Sequence, residues 1–191
     1  MKQHLVLMAK APRIGTVKTR LATSIGRVKA WAFYRHSLAC TARKLKDPRW
    51  LCWLSVTPDK TVRQSRLWPK GWMAIPQGSG DLGLRMLTPM LALPPGPVVI
   101  VGSDIPDVSA AHIAAAFKAL GEHDFVFGPA TDGGYWLVGA KRRPHLCDPF
   151  CDVRWSSEHA LADTLANLPD GVSVGFVETL SDVDDAKDLI K

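Results

Sequence analysis

A chain of 191 residues, 47% hydrophobic and 22% charged, can bury one core and has the composition of a globular protein, not a disordered or fibrous one. No apolar stretch approaches the roughly 20 residues needed to cross a bilayer, and the N-terminus lacks a signal-peptide h-region, so a cytoplasmic protein with no membrane partner is expected. Four cysteines are too few for a disulfide scaffold, and the net charge of +6 hides an asymmetry: residues 1–46 hold eleven Lys or Arg and no Asp or Glu, whereas residues 181–191 hold four Asp.

In chain order, Gln3 to Ala9 reads as a short apolar strand, and KAPRIGTVKTRL, residues 10–21, as the loop that follows it. Gly26 to Leu45 carries apolar residues at helical spacing (Val28, Trp31, Ala32, Leu38, Leu45), and Trp50 to Val56 reads as a second strand. Pro58 to Lys70 is a weakly patterned connection, Trp72 to Ile75 a third strand, and Gly80 to Leu93 a helix interrupted at Pro89. Pro97 to Val101 is the clearest strand, followed by a helix over Ser109 to Leu120 with Ser109 at its N-cap and Gly121 at its end. Phe125 to Phe127, Tyr135 to Val138 and Val172 to Val177 read as strands, and Ser156 to Leu168 and Asp182 to Ile190 as helices. Strands separated by helices imply a mainly parallel sheet covered on both faces, a three-layer α/β/α sandwich in one domain spanning 1–191.

The informative loops follow strands, where α/β folds place ligands. In the first, Gly15 allows a tight backbone path, while Lys10, Arg13, Lys18 and Arg20 stand without a carboxylate among them, a composition suited to phosphate oxygens. It is not a Walker A loop, because Val17 occupies the position of the required glycine before Lys18-Thr19. In the second, VGSDIPD, residues 101–107, a carboxylate at the end of the best strand suits a hard cation, which makes Asp104 the first metal candidate and Asp107 a turn or cap residue. In the third, GPATDGGYW, residues 128–136, Gly133 and Gly134 either admit a ligand close to the backbone or simply form a turn.

His145, Cys147, Cys151 and His159 match none of the common zinc spacings and are read as ordinary side chains. No helix-turn-helix or RNA-recognition aromatic pair accompanies the basic N-terminal part, so a small phosphorylated ligand is a more economical partner than nucleic acid. Arg27, Lys29, Arg35, Arg43, Lys44 and Lys46 read as a solvated helix face. Trp31, Trp50 and Trp53 fall on core-like faces, leaving Trp155 and Trp136 as candidate sugar platforms.

KAPRIGTVKTRL, QGSGDLGLRM, VGSDIPD, GPATDGGYWLVG, RWSS and DVDDAKDL occur in an order that resembles a bacterial transferase family described as selenodomain-associated or glycosyltransferase-like. Its fold is the nucleotide-diphospho-sugar transferase (GT-A) type, and the likeness runs from Lys10 to about Leu189. More remotely the chain resembles phospholactate guanylyltransferases and the nucleotidyltransferases of molybdenum-cofactor and sugar-nucleotide synthesis.

The resemblance implies that Lys10, Arg13, Gly15, Lys18 and Arg20 surround the phosphates of a nucleotide and that Gly80, Asp81 and Gly83 meet the base. It implies a Mg2+ (or Mn2+) ion on Asp104, with Asp184 as second carboxylate, and an acceptor facing Asp132, Gly133, Gly134, Trp155 and Ser156. Leu84, Ser157 and Asp185 depart from the family pattern, leaving Asp182, Asp184 and Asp185 in competition for the second metal position. The expected partners are a nucleotide or nucleotide sugar and a small-molecule acceptor. Lys18, Arg20 and Asp104 would carry catalysis by stabilising a departing pyrophosphate, in a transfer from a nucleoside triphosphate to a phosphorylated small molecule. The alternatives are a glycosyltransferase using a nucleotide sugar and a non-catalytic nucleotide-binding protein.

Overall fold

The computed structural model describes residues 1–142 and 146–181. The expected closing helix over Asp182 to Ile190, the candidate metal ligands Asp182, Asp184 and Asp185, and His145 lie outside the described residues.

Seven strands form one sheet in the order β3-β2-β1-β4-β6-β5-β7. They are β1 (Gln3–Lys10), β2 (Trp50–Thr57), β3 (Met73–Pro76), β4 (Val98–Val101), β5 (Phe125–Pro129), β6 (Tyr135–Ala140) and β7 (Val174–Phe176). Every pairing is parallel except those of β6, which runs antiparallel to both β4 and β5. The short 130–134 connection cannot make a parallel crossover, so β6 must turn back beside β5.

The helices are α1 (Thr19–Ile25), α2 (Arg27–Lys44), α3 (Leu82–Ala92), α4 (Ala110–Ala119) and α5 (Ala160–Ala166). Alternate residues of each central strand enter opposite cores. Leu5 and Leu7 join Leu38, Ala42, Ile113 and Phe117 from α2 and α4, whereas Val6 and Ile100 join Met86 and Met90 from α3. Burial on both faces is why these strands read as continuous apolar runs. No helix among the described residues is long and apolar enough to cross a membrane.

Several elements differ from the sequence reading. The stretch after β1 is not loop throughout, since Thr19 opens α1. In α2 the inward stripe is Ala30, Tyr34, Leu38, Thr41 and Ala42, while Val28 and Ala32 are exposed on the opposite face. Both sets obey helical spacing, and periodicity alone does not say which one meets the sheet. Residues 58–70 contain two short 3-10 turns, Asp59–Thr61 and Ser65–Leu67. Helix α3 continues through a buried Pro89. Helix α5 begins only at Ala160, because the preceding turn places Ser156 at φ 58° and uses the Ser157 hydroxyl to accept the His159 N–H at 3.2 Å. The expectation for α4 matches in detail: Ser109 caps the helix and His112 completes the capping box.

Candidate active site

The C-terminal ends of β1, β2, β3 and β4 lie along one edge of the sheet with the 130–134 loop, and a cleft of about 790 Å³ opens there. A smaller recess of about 300 Å³ adjoins it between the 16–20 segment, Tyr34 and Asp104. Lys10, Arg20, Ser103 and Asp104 line both.

The basic loop is fastened from beneath. The Tyr34 hydroxyl accepts the Lys10 N–H at 2.8 Å and donates to the Lys10 carbonyl at 2.9 Å. Burial is the main force raising the Tyr34 phenol to about 12, with the Asp104 charge adding to it, so Tyr34 stays protonated and keeps its donor. The Trp31 indole donates to the Pro12 carbonyl at 2.7 Å, and Gly15, at φ 79°, makes the turn that a side chain would strain. Lys18 sits at the N-cap of α1 with left-handed φ 46° and ψ 51°. From there its ammonium reaches Asp104 Oδ2 at 3.0 Å; the Lys18 side chain is only 7% exposed, that of Asp104 36%. A mostly buried cation beside a more open carboxylate is electrostatically stronger than a surface pair, since solvent screens it less.

Asp104 Oδ1 lies 3.4 Å from the Ser103 hydroxyl. Among the described residues no group of three or more His, Cys, Asp or Glu could hold a metal ion by itself. A single open carboxylate fits magnesium, which takes one or two protein carboxylates and draws its other ligands from phosphate and water. The donor set therefore suits a metal that arrives with a nucleotide, and Asp104 is the described residue that would hold it.

On the opposite rim Asp81 has two tasks. Its Oδ1 caps α3 by accepting the Leu84 N–H at 2.9 Å, and its Oδ2 lies 3.4 Å from the Trp155 indole N–H. Trp155 is half-buried, edge-on to Tyr135, and with Ser156 lines the cleft. Asp132 accepts the Gly134 N–H at 2.9 Å, and both residues line the cleft.

Arg13, Gly15, Gly83 and Gly133 do not line either recess. Gly83 faces the protein: a Cβ there would lie 2.6 Å from Phe150 Cβ and 2.9 Å from the Trp155 ring. Gly133, at φ 87°, admits the backbone of Glu158. Trp136 is not a sugar platform, being 3% exposed with its indole donating to the Glu178 carbonyl at 3.0 Å.

Two contributors escaped the sequence reading. Arg85 lines the cleft and donates from Nε to the Gly80 carbonyl at 3.0 Å, with Nη1 3.4 Å from Gln77 Oε1. Its spacing from the N-cap Asp81, one helical turn on, was the available signal. Tyr34 had none, being one aromatic on a helix whose inward face was still to be found.

Known structures share this architecture. A protein from Desulfovibrio desulfuricans G20, named provisionally a nucleotide-diphospho-sugar transferase, superposes with TM-score 0.89 and 29% identity over 99% of this chain and 85% of its own. CMP:2-keto-3-deoxy-manno-octonic acid synthetase complexed with CTP superposes with TM-score 0.57 and 12% identity over 100% of this chain and 96% of its own. Rv0371c of Mycobacterium tuberculosis H37Rv, in complex with manganese, does so with TM-score 0.55 and 13% identity over 100% and 97%. No curated protein sequence matches. The fold is thus of the nucleotide-diphospho-sugar transferase type, and its structural neighbours are transferases of the nucleotidyl or sugar kind. Residues 40–157 match the family described as "Uncharacterized protein conserved in bacteria (DUF2064)", and the chain belongs to it.

Proposed function

We propose that the protein is a divalent-metal-dependent transferase that moves a nucleotidyl group from a nucleoside triphosphate to a phosphorylated small molecule. The observation that carries this reading is the 3.0 Å approach of Lys18 to Asp104, which joins the basic loop after β1 to the carboxylate after β4 beside one cleft. An oxygen of the acceptor phosphate attacks the α-phosphorus, the bond to the β-phosphate oxygen breaks, and pyrophosphate leaves. A phosphate acceptor is already ionised, so no general base is required. Lys18 and Arg20 stabilise charge that grows on the leaving pyrophosphate, while Lys10, Arg13 and Gly15 belong to the loop that surrounds the phosphate chain. Mg2+ or Mn2+ held by Asp104, with Asp184 as a candidate second ligand, would supply Lewis-acid charge to the phosphate oxygens. The segment of Gly80 and Asp81 meets the base, and Asp132, Gly134, Trp155 and Ser156 flank the acceptor. Position and preorganised charge are what the protein contributes.

The 29% identity to the D. desulfuricans protein favours a second reading, glycosyl transfer from a nucleotide sugar. The leaving group separates the two. Incubation with nucleoside triphosphates, Mg2+ and a panel of phosphorylated acceptors should release pyrophosphate; nucleoside diphosphate formed from sugar nucleotides, without pyrophosphate in the first assay, supports the second reading instead. Thermal stabilisation by nucleotide with no turnover of either kind leaves a non-catalytic nucleotide-binding protein.

A further inference from the structure

The first 70 residues carry sixteen Lys or Arg and two carboxylates, and the remainder carries eight and sixteen. Both early carboxylates are engaged locally, Asp47 with Arg49 at 2.8 Å and Asp59 with the N–H groups of Gln77 and Gly78. Helix α2 presents part of this charge to solvent. With Ala30, Tyr34, Leu38 and Ala42 turned inward, α2 exposes Val28, Ala32, Arg35, Ala39 and Arg43 along its other face.

Two aliphatic side chains stand out of this basic surface, Ile14 at 56% exposure and Val28 at 62%. They belong to one patch. The Trp31 indole holds Pro12, and a Cβ on Gly15 would lie 3.8 Å from Arg27 Cδ, so the 12–15 loop rests against the start of α2. Arg13, Arg27 and Lys29, all exposed, are their immediate neighbours in sequence.

We infer that this face docks the protein onto an anionic phospholipid bilayer, with the cations among the headgroups and Ile14 and Val28 dipping into the interface. Charge complementarity selects the partner: basic residues gain from the negative surface of an anionic leaflet, and exposed aliphatics add an apolar contribution there. Single-stranded nucleic acid, the competing polyanion, is bound by stacking on aromatic platforms, whereas the Trp, Tyr and Phe rings of the 11–18 loop, α1 and α2 are buried or half-buried and only the His36 imidazole is exposed there. The loop that carries Ile14 also carries Lys18, so docking brings the cleft mouth to the membrane edge. Sequence patterning pointed away from a membrane because it lacks a long apolar run. The projection of two aliphatics from a basic face exists only in three dimensions.

Co-sedimentation of the full chain with vesicles of equal parts phosphatidylglycerol and phosphatidylcholine, and with pure phosphatidylcholine vesicles, tests this at low salt. Binding to the anionic vesicles alone is expected. The double variant Arg35→Glu with Arg43→Glu should weaken it by about tenfold or more. Ile14→Ser with Val28→Ser should weaken it too, most visibly when salt screens the cations. Thermal midpoints of both variants should equal that of the unmodified protein, which separates docking from folding. The vesicle measurements involve neither nucleoside triphosphate nor turnover, so their outcome is independent of the proposed transferase activity. Absence of binding at low salt, equal binding to both vesicle types, undiminished binding by either double variant, or tighter binding to poly(U) than to anionic vesicles would overturn the inference.

Discussion

Lys18 Nζ lies 3.0 Å from Asp104 Oδ2, and Lys18 makes this contact from a left-handed backbone at φ 46° and ψ 51°. A non-glycine residue in that region is under strain, and the strain is maintained where the ammonium meets the carboxylate. Comparing two substitutions isolates the backbone cost, because both remove the ammonium. Lys18→Gly should be more stable than Lys18→Ala by about 1 kcal/mol in urea denaturation, and neither should retain transfer activity. Equal stabilities would show that the backbone at this position is not strained.

Asp104 is the cleft carboxylate that meets Lys18, and Asp104→Asn keeps its shape while removing its charge. In the unmodified protein a nucleoside triphosphate with Mg2+ at a hundred times its dissociation constant should stabilise by about 2.7 kcal/mol. The variant should lose most of this gain, and chelation of the metal should produce the same loss without mutation. An undiminished thermal shift in Asp104→Asn would remove the metal assignment.

Gly83 sets two physical effects against each other. Alanine is favoured over glycine inside a helix by about 1 kcal/mol. Here the added methyl would stand 2.6 Å from Phe150 Cβ, 2.9 Å from the Trp155 ring and 3.0 Å from the Phe150 carbonyl oxygen. Overpacking of this kind costs about 1–3 kcal/mol, so Gly83→Ala should lower the thermal midpoint and shift the fluorescence of Trp155. A raised midpoint would mean that the 150–155 segment yields freely.

His4 links stability to pH. It is fully buried, and its Nδ1 lies 3.2 Å from the Trp53 indole nitrogen, where it can accept that N–H. Burial, with a smaller contribution from the Arg142 charge and against the Pro95 carbonyl, holds its pKa below the ordinary value of 6.5. Below pH 6.5 the unfolded chain therefore binds a proton that the folded chain refuses. Stability should be flat with respect to this group above 6.5 and fall as pH drops from 6.5 towards the lowered folded value. Urea midpoints between about pH 7.5 and pH 5 should show that slope, reduced in His4→Gln, which cannot titrate. An identical slope in both proteins would assign the effect to other groups.

Much of the architecture was legible because central strands buried on both faces must be apolar along their length. Val98 to Val101 and Leu5 to Leu7 announced themselves in this way. Ser109 was equally plain, since a hydroxyl before an apolar helix satisfies backbone N–H groups that nothing else can reach. The antiparallel direction of β6 was hidden, because strand direction leaves no mark on side-chain alternation and depends on the short loop before it.

Of the candidate site, the chemistry was readable but the facing was not. Lys18 and Asp104 could be chosen for charge and for their places after strands, but only the fold brings them to 3.0 Å of each other. Gly83 and Gly133 have the composition of ligand-facing glycines, yet one admits an aromatic side chain and the other a neighbouring backbone. Trp136 and Trp155 are alike as letters, but the first is 3% exposed with its indole on the Glu178 carbonyl, whereas the second is half-buried at the cleft.

Residue types and their order along the chain thus determined the strands, the caps and which groups carry charge, because each follows from local burial and local hydrogen bonding. Tertiary structure alone decided which glycines face a cavity, which face of α2 meets solvent, and that the first loop meets the carboxylate after the fourth strand. Those are relations between segments distant in sequence, fixed by packing two cores against a twisted sheet, and no local pattern encodes them.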